Sequence, residues 1–136
     1  MRDLEPLLAV RRQPRPIPPP SEQKRLSVAE AYVVQDRLRE ALPAQGDRLI
    51  GWKAGLTNRG PQAQFQVEEP VCGFLLASGV LPSGSEVPVA RFASLAVEAE
   101  IAFLMKQDLA GPGVAPPRAM LAVEGALPAL ELVDFR

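Results

Sequence analysis

The chain has no histidine, a single cysteine and only five per cent aromatic residues. Without histidine there is no Ser-His-Asp or Cys-His nucleophile, and a typical catalytic zinc site lacks its usual ligand. The lone Cys72 excludes an internal disulfide and fits a reducing cytoplasm, the expected location. Charge of one sign is also missing. Fifteen basic residues against 16 acidic ones form neither a basic stripe for nucleic acid nor an acidic tail. No apolar run approaches the roughly 20 residues that a membrane helix needs, and Met1-Arg2-Asp3 does not read as a secretory signal. Scarce aromatics leave the core to Leu, Val, Ala and Ile.

What remains is a chain of 136 residues, 47% hydrophobic, which supports one modest soluble domain. Fifteen prolines imply many turns and loops, and five of them fall between Arg11 and Pro20. That stretch cannot be regular structure and reads as an extended arm or linker. Asp3 to Val10 before it predicts a helix of two turns. Residues 1–26 are thus expected to form a helix and proline-rich arm, and 27–136 the main domain. Ser27-Val28-Ala29-Glu30 has the capping-box pattern, opening a helix that Pro43 stops near Leu42. Val28, Ala31, Tyr32, Leu38 and Leu42 share one face of that helix. Gln35 falls on the same face, where its amide needs a backbone group or a ligand as partner.

Leu49 to Thr57 predicts a strand running into a glycine-punctuated turn. Lys53 inside it either holds a carboxylate or enolate oxygen or snorkels from a sheet edge. Further along, Gly60 to Phe65 predicts a short helix and Val71 to Leu76 a strand, with Cys72 as small core filler. Val87 to Ala90 predicts a short strand. A helix is expected from Pro116 or Pro117 to about Glu124, ended by Gly125.

The most informative stretch is Ala96 to Leu104, short, apolar and read as a strand. Alternation puts Leu95, Val97, Ala99, Ile101, Phe103 and Met105 on one face. Ala96, Glu98, Glu100, Ala102 and Leu104 take the other, so two carboxylates stand side by side among apolar neighbours. Glu131 sits in a second apolar run, Leu127 to Val133. Such a set is either the wet face of a half-exposed sheet or the oxygen ligands of one hard cation, Mg²⁺ or Mn²⁺.

Several blocks, in order, carry a family resemblance: Arg15-Pro16-Ile17, SVAEAYVVQ (27–35), GWKAGLT (51–57), EEPVCGFLL (68–76), Glu98-Ala99-Glu100 and PALELVDFR (128–136). Together they resemble the 2-keto-4-pentenoate hydratase and 2-oxo-hepta-3-ene-dioate hydratase group of the fumarylacetoacetate hydrolase superfamily, in its N-terminal half only. The resemblance implies an α+β fold, a β-rich rolled sheet behind a leading helical segment. It also implies a metal site of Glu98, Glu100 and Glu131 and a catalytic Lys53, with Gln35, Leu56 and Thr57 near a small 2-oxo acid. The implied activity is hydration of a 2-oxo- or 2-hydroxy-dienoate in aromatic-compound catabolism, with 2-oxo acid decarboxylation as the nearest variant. Val71 stands where related hydratases often carry an aspartate, and the hydrolases of the superfamily use a histidine that this chain lacks. Relatives run to about twice this length. The other reading is therefore a truncated, non-catalytic fragment that needs a partner chain, and a homo-oligomer or pairing with a longer relative is expected.

Overall fold

The computed structural model describes residues 4–23, 25–43 and 46–136. The chain is α+β, with helices α1 (Glu5–Arg12), α2 (Pro20–Gln23), α3 (Val28–Ala41), α4 (Arg59–Phe65) and α5 (Pro116–Leu121). Its strands are β1 (Leu49–Gly55), β2 (Val71–Leu76), β3 (Leu95–Met105) and β4 (Val123–Asp134). They form two antiparallel ribbons, β1–β2 and β3–β4. Two compact units result, one holding α1 to β2 and the other β3 to β4. No helix among the described residues is long and apolar enough to cross a membrane.

In the first unit α3 begins as its sequence predicts. The Ser27 hydroxyl accepts from the Glu30 N–H at 3.2 Å, and the Glu30 carboxylate accepts from the Ser27 N–H at 2.9 Å. The N-cap N–H and one of the orphan donors of the first turn are thereby satisfied. The helix ends at Ala41, with Leu42 as its cap, one residue before Pro43. Its expected apolar face is only partly covered: Leu42 is buried, whereas Val28 is 53% exposed. Three side chains tie α3 to the first ribbon. The Tyr32 hydroxyl accepts from the Cys72 N–H at 2.9 Å, and Gln35 Nε2 donates to the Cys72 carbonyl at 3.0 Å. Arg39 lies 5.8 Å from the Trp52 ring centroid, in cation–π range.

Both ribbon ends are closed by carboxylates. Asp47, just before β1, accepts from the N–H groups of Arg48 (2.8 Å) and Ser78 (3.2 Å) and from the Ser78 hydroxyl (2.5 Å). The Ser78 hydroxyl and then the Arg48 N–H lead in holding its pKa below the ordinary value. Asp134, at the end of β4, accepts from the N–H groups of Ala93 (2.8 Å) and Ser94 (3.0 Å) and from Arg136 Nε (2.6 Å). Its side chain is only 6% exposed. Burial alone would raise its pKa, but the Ser94 N–H, the Arg136 guanidinium and the Ala93 N–H together lower it.

Four expectations fail for identifiable reasons. Cys72 is exposed rather than core filler, because α3 engages its backbone and leaves the thiol outside. Val87–Ala90 forms no strand; Val89–Arg91 is a 3₁₀ turn, since Pro88 removes a ladder donor. The helix α5 stops at Leu121 instead of Glu124. The Lys106 N–H donates to the Ala122 carbonyl at 2.9 Å, so strand pairing begins there and Gly125 lies within β4 opposite Leu104. The arm is shorter at both ends, because α1 extends through Arg12 and α2 begins at Pro20. The Asp3 start expected for α1 lies outside the described residues.

Asp134→Asn is expected to lower stability by about 1–3 kcal/mol at pH 7, since it weakens charge-assisted bonds at a covered site. A depressed carboxyl pKa stabilises fully above the unfolded-state value near 3.9 and loses that contribution as pH falls through the folded value. The parent–variant gap in urea denaturation midpoints should therefore be constant at neutral pH and shrink below about pH 4.

Candidate functional site

The register of β3–β4 decides which side chains meet. Residues directly opposite in an antiparallel pair share a face, with Cβ atoms about 4.5–5.5 Å apart. Glu98 lies opposite Glu131, and Glu100, two residues along β3, lies opposite Ala129 on that same face. The three residues each place a carboxylate oxygen within 4.8 Å of the others. Two acids distant in sequence are thus brought together by pairing alone. Their surroundings differ from the expected enclosure by apolar neighbours: Glu98 and Glu100 are exposed and Glu131 is half-buried. The cause is the ribbon itself, since β3 and β4 pair only with each other among the described residues.

Like charges directly opposite on a ribbon destabilise it unless something offsets them. A hard divalent cation would do so, and the donor set suits one: oxygen only, with no nitrogen or sulfur. Two ligands of one ion can lie no farther apart than twice the bond length, about 4.2 Å for Mg²⁺ and about 5 Å for Ca²⁺. The three carboxylate oxygens lie within 4.8 Å of one another, a range from which side-chain rotation can bring them onto one ion.

The remaining candidates lie in the first unit. Lys53 projects from the more covered face of β1, which it shares with Gly51 and Gly55. Across the ribbon it pairs with Gly73. A Cβ at Gly73 would stand 3.0 Å from Lys53 Cγ and 3.4 Å from Cδ. The lysine stem therefore lies in the trough that Gly73 leaves on β2. Among the described residues β1 pairs only with β2, so Lys53 stands on an edge strand with its stem packed against the neighbouring strand. Gln35 spends its amide nitrogen on the Cys72 carbonyl, the backbone partner that its place on α3 allowed.

Leu56 and Thr57 follow β1 directly. Leu56 has φ +54°, in the left-handed region that costs a non-glycine residue about 1 kcal/mol or more. Its carbonyl accepts from Gln62 Nε2 at 2.7 Å, so the first turns of α4 hold the strained residue in place. Asn58 caps α4 by accepting from the Gly60 N–H at 3.2 Å.

Sequence reasoning did not single out Gly73, Asp47, Asp134 or the Tyr32 hydroxyl. Tyr32 offered a signal, because a phenol on an otherwise apolar helix face needs a hydrogen-bond partner. The role of Gly73 depends on register, which only the paired strands reveal. Gly73→Ala is expected to push the Lys53 stem out of the trough and raise acylation of its amine, measured by mass spectrometry. Lys106 serves as the internal reference, and unchanged Lys53 labelling would contradict the packing.

No family model matches the chain. It is 38% identical over 112 residues to the 2-hydroxypent-2,4-dienoate hydratase of Pseudomonas putida, covering 82% of this chain and 50% of that protein. Identity is 35% over 111 residues with the 4-oxalocrotonate decarboxylase of Pseudomonas sp. strain CF600, 82% of this chain and 42% of that protein. Among solved structures, the 4-oxalocrotonate decarboxylase of Pseudomonas putida G7, complexed with magnesium and adipate, superposes with a TM-score of 0.90 at 30% identity. That match covers 96% of this chain and 50% of the decarboxylase. The same enzyme has also been solved with calcium and acetate. The chain spans about half the length of the relatives it matches. Across that span it is similar to the 2-keto-4-pentenoate hydratases, the 2-oxo-hept-4-ene-1,7-dioate hydratases and the 4-oxalocrotonate decarboxylases.

Proposed function

We propose that this chain carries the metal-binding strands of a divalent-metal-dependent lyase, a hydratase of 2-hydroxy-dienoates in aromatic-compound breakdown. One observation carries the reading: three carboxylates from two strands converge within 4.8 Å. The names of its relatives support the reaction class, and the magnesium and calcium complexes of the structural neighbour support the kind of ion. Glu98, Glu100 and Glu131 would hold Mg²⁺ or Mn²⁺, both suited to an all-oxygen donor set. Bound there, the ion supplies positive charge beside the carboxylate and keto oxygens of a 2-oxo acid, where negative charge grows during tautomerisation.

The chain's own residues take the other tasks. Lys53 holds an oxyanion or passes a proton, its direction fixed by the glycine trough. Gln35 retains an amide oxygen that can accept from a substrate hydroxyl while its nitrogen anchors β2. Leu56 and Thr57 line the substrate at the turn that ends β1. A second reading, decarboxylation of a 2-oxo acid, is favoured by the close superposition on a decarboxylase. The three acids would serve both reactions, because each builds charge on a keto oxygen that a bound ion can stabilise.

Mg²⁺ is expected to raise the melting temperature of the parent chain in a concentration-dependent way, and Glu100→Gln to abolish the response. An equal response in the variant would remove the metal reading. For the reaction, hydration of 2-hydroxypenta-2,4-dienoate is followed by loss of dienoate absorbance, beside release of CO₂ from 4-oxalocrotonate. Lys53→Ala is expected to lower whichever turnover appears by about 10²–10⁴-fold, the usual contribution of general acid–base catalysis. Unchanged turnover would remove that lysine's role.

A further inference from the structure

Among the described residues, two non-glycine residues have positive φ, Leu56 at +54° and Gln66 at +55°. Gln66 is the cap that ends α4, a place where the left-handed conformation is routine. Leu56 caps nothing. It follows β1 directly, and a bulky side chain there meets a steric cost that extended backbone avoids. One residue holds this turn from two directions. Gln62 Nε2 donates to the Leu56 carbonyl at 2.7 Å in a part-buried setting, and the Gln62 N–H donates to the Asn58 carbonyl at 3.3 Å. Thr57 is bracketed between the two carbonyls. Gln62 is itself fixed, since its own carbonyl accepts from the Val67 N–H at 3.0 Å. On the other side Gly55, the last residue of β1, is paired with Val71. The Leu56–Thr57 peptide is trans and planar, so a Leu56 carbonyl turned to Gln62 sends the Thr57 N–H away from α4, at an exposed position.

We infer that Gln62 is a positioning residue for the turn that lines the substrate: its side-chain amide keeps Leu56 left-handed and so sets where Thr57 points. The inference rests on the reading that Leu56 and Thr57 meet a 2-oxo acid. The steric cost of a left-handed leucine and the net worth of one hydrogen bond are of the same order, so losing the bond lets the backbone relax. The relaxed turn does not bind, and affinity falls by the factor by which the left-handed population falls. Gln62 acts through the backbone of Leu56 and not on the substrate.

Two substitutions test this in the full chain. Gln62→Glu keeps the shape but at pH 7 offers only acceptors, and Gln62→Leu offers no polar atom. The nuclear Overhauser effect between the N–H and Hα of residue 56 is strong at positive φ and weak in extended backbone. It is expected to be strong in the parent and to fall several-fold in both variants. Titration with 2-oxopentanoate in Mg²⁺, followed at the Thr57 amide, should give a dissociation constant about tenfold higher in the variants. In a Leu56→Gly background, where positive φ carries no steric cost, Gln62→Leu should shift that constant by about twofold or less. A general loosening of α4 would act alike in both backgrounds, and that result overturns the proposal. An undiminished Overhauser effect in both variants overturns it too, as does an equal dissociation constant in parent and variants. Failure of the substrate reading is separate and is seen in the parent: a parent chain that binds no 2-oxopentanoate removes that reading, and the Gln62 role with it.

Discussion

Two carboxylates held face to face across a β-ribbon, with a third on the neighbouring rung, are the constraint from which the rest of this chain is understood. Glu98 and Glu131 are directly opposed, and nothing in strand geometry separates them. Their repulsion is fixed by register, because sliding one strand by a single residue would move either acid to the other face. Apolar pairs on both sides of the ribbon favour the register that brings the acids together. A cation would turn that conflict into a stabilising contact, and the all-oxygen set suits a hard one.

Two other carboxylates, Asp47 and Asp134, are each held by several donors of the protein itself. Asp47 and Asp134 each accept from two backbone N–H groups and a further side-chain donor, and each is held below its ordinary pKa. They pin loop ends to ribbons. The first unit adds a second kind of preorganisation. The α3 clamp on Cys72 fixes β2 beside Gly73, and Gly73 in turn leaves room for the Lys53 stem. A lysine whose stem is held by packing loses less freedom when it meets an anion than one whose stem is loose in solvent.

Much of this was legible before any coordinates. The capping box located α3, the β2 span was read correctly, and strand alternation placed Glu98 and Glu100 on one face. The ordered blocks from Arg15 to Arg136 pointed to the family. What stayed hidden depended on partners distant in sequence. Gly73 matters only through Lys53 across the ribbon, and Cys72 is exposed only because α3 uses its backbone. The end of α5 was misread because Ala122 pairs with Lys106, a contact that local helix signals do not encode. Exposure of Glu98 and Glu100 was likewise illegible, since it depends on what packs against the ribbon and not on the ribbon's own pattern.

The most direct measurement is the sign of one substitution under two conditions. Glu131→Gln removes one of the two opposed charges and keeps the side-chain shape. In chelator-treated protein the variant should melt higher than the parent, because the repulsion is relieved. In excess Mg²⁺ the order should reverse, because the parent alone keeps the full ligand set. The same order in both conditions would contradict the account, for the three acids would then be a solvated strand face and no more.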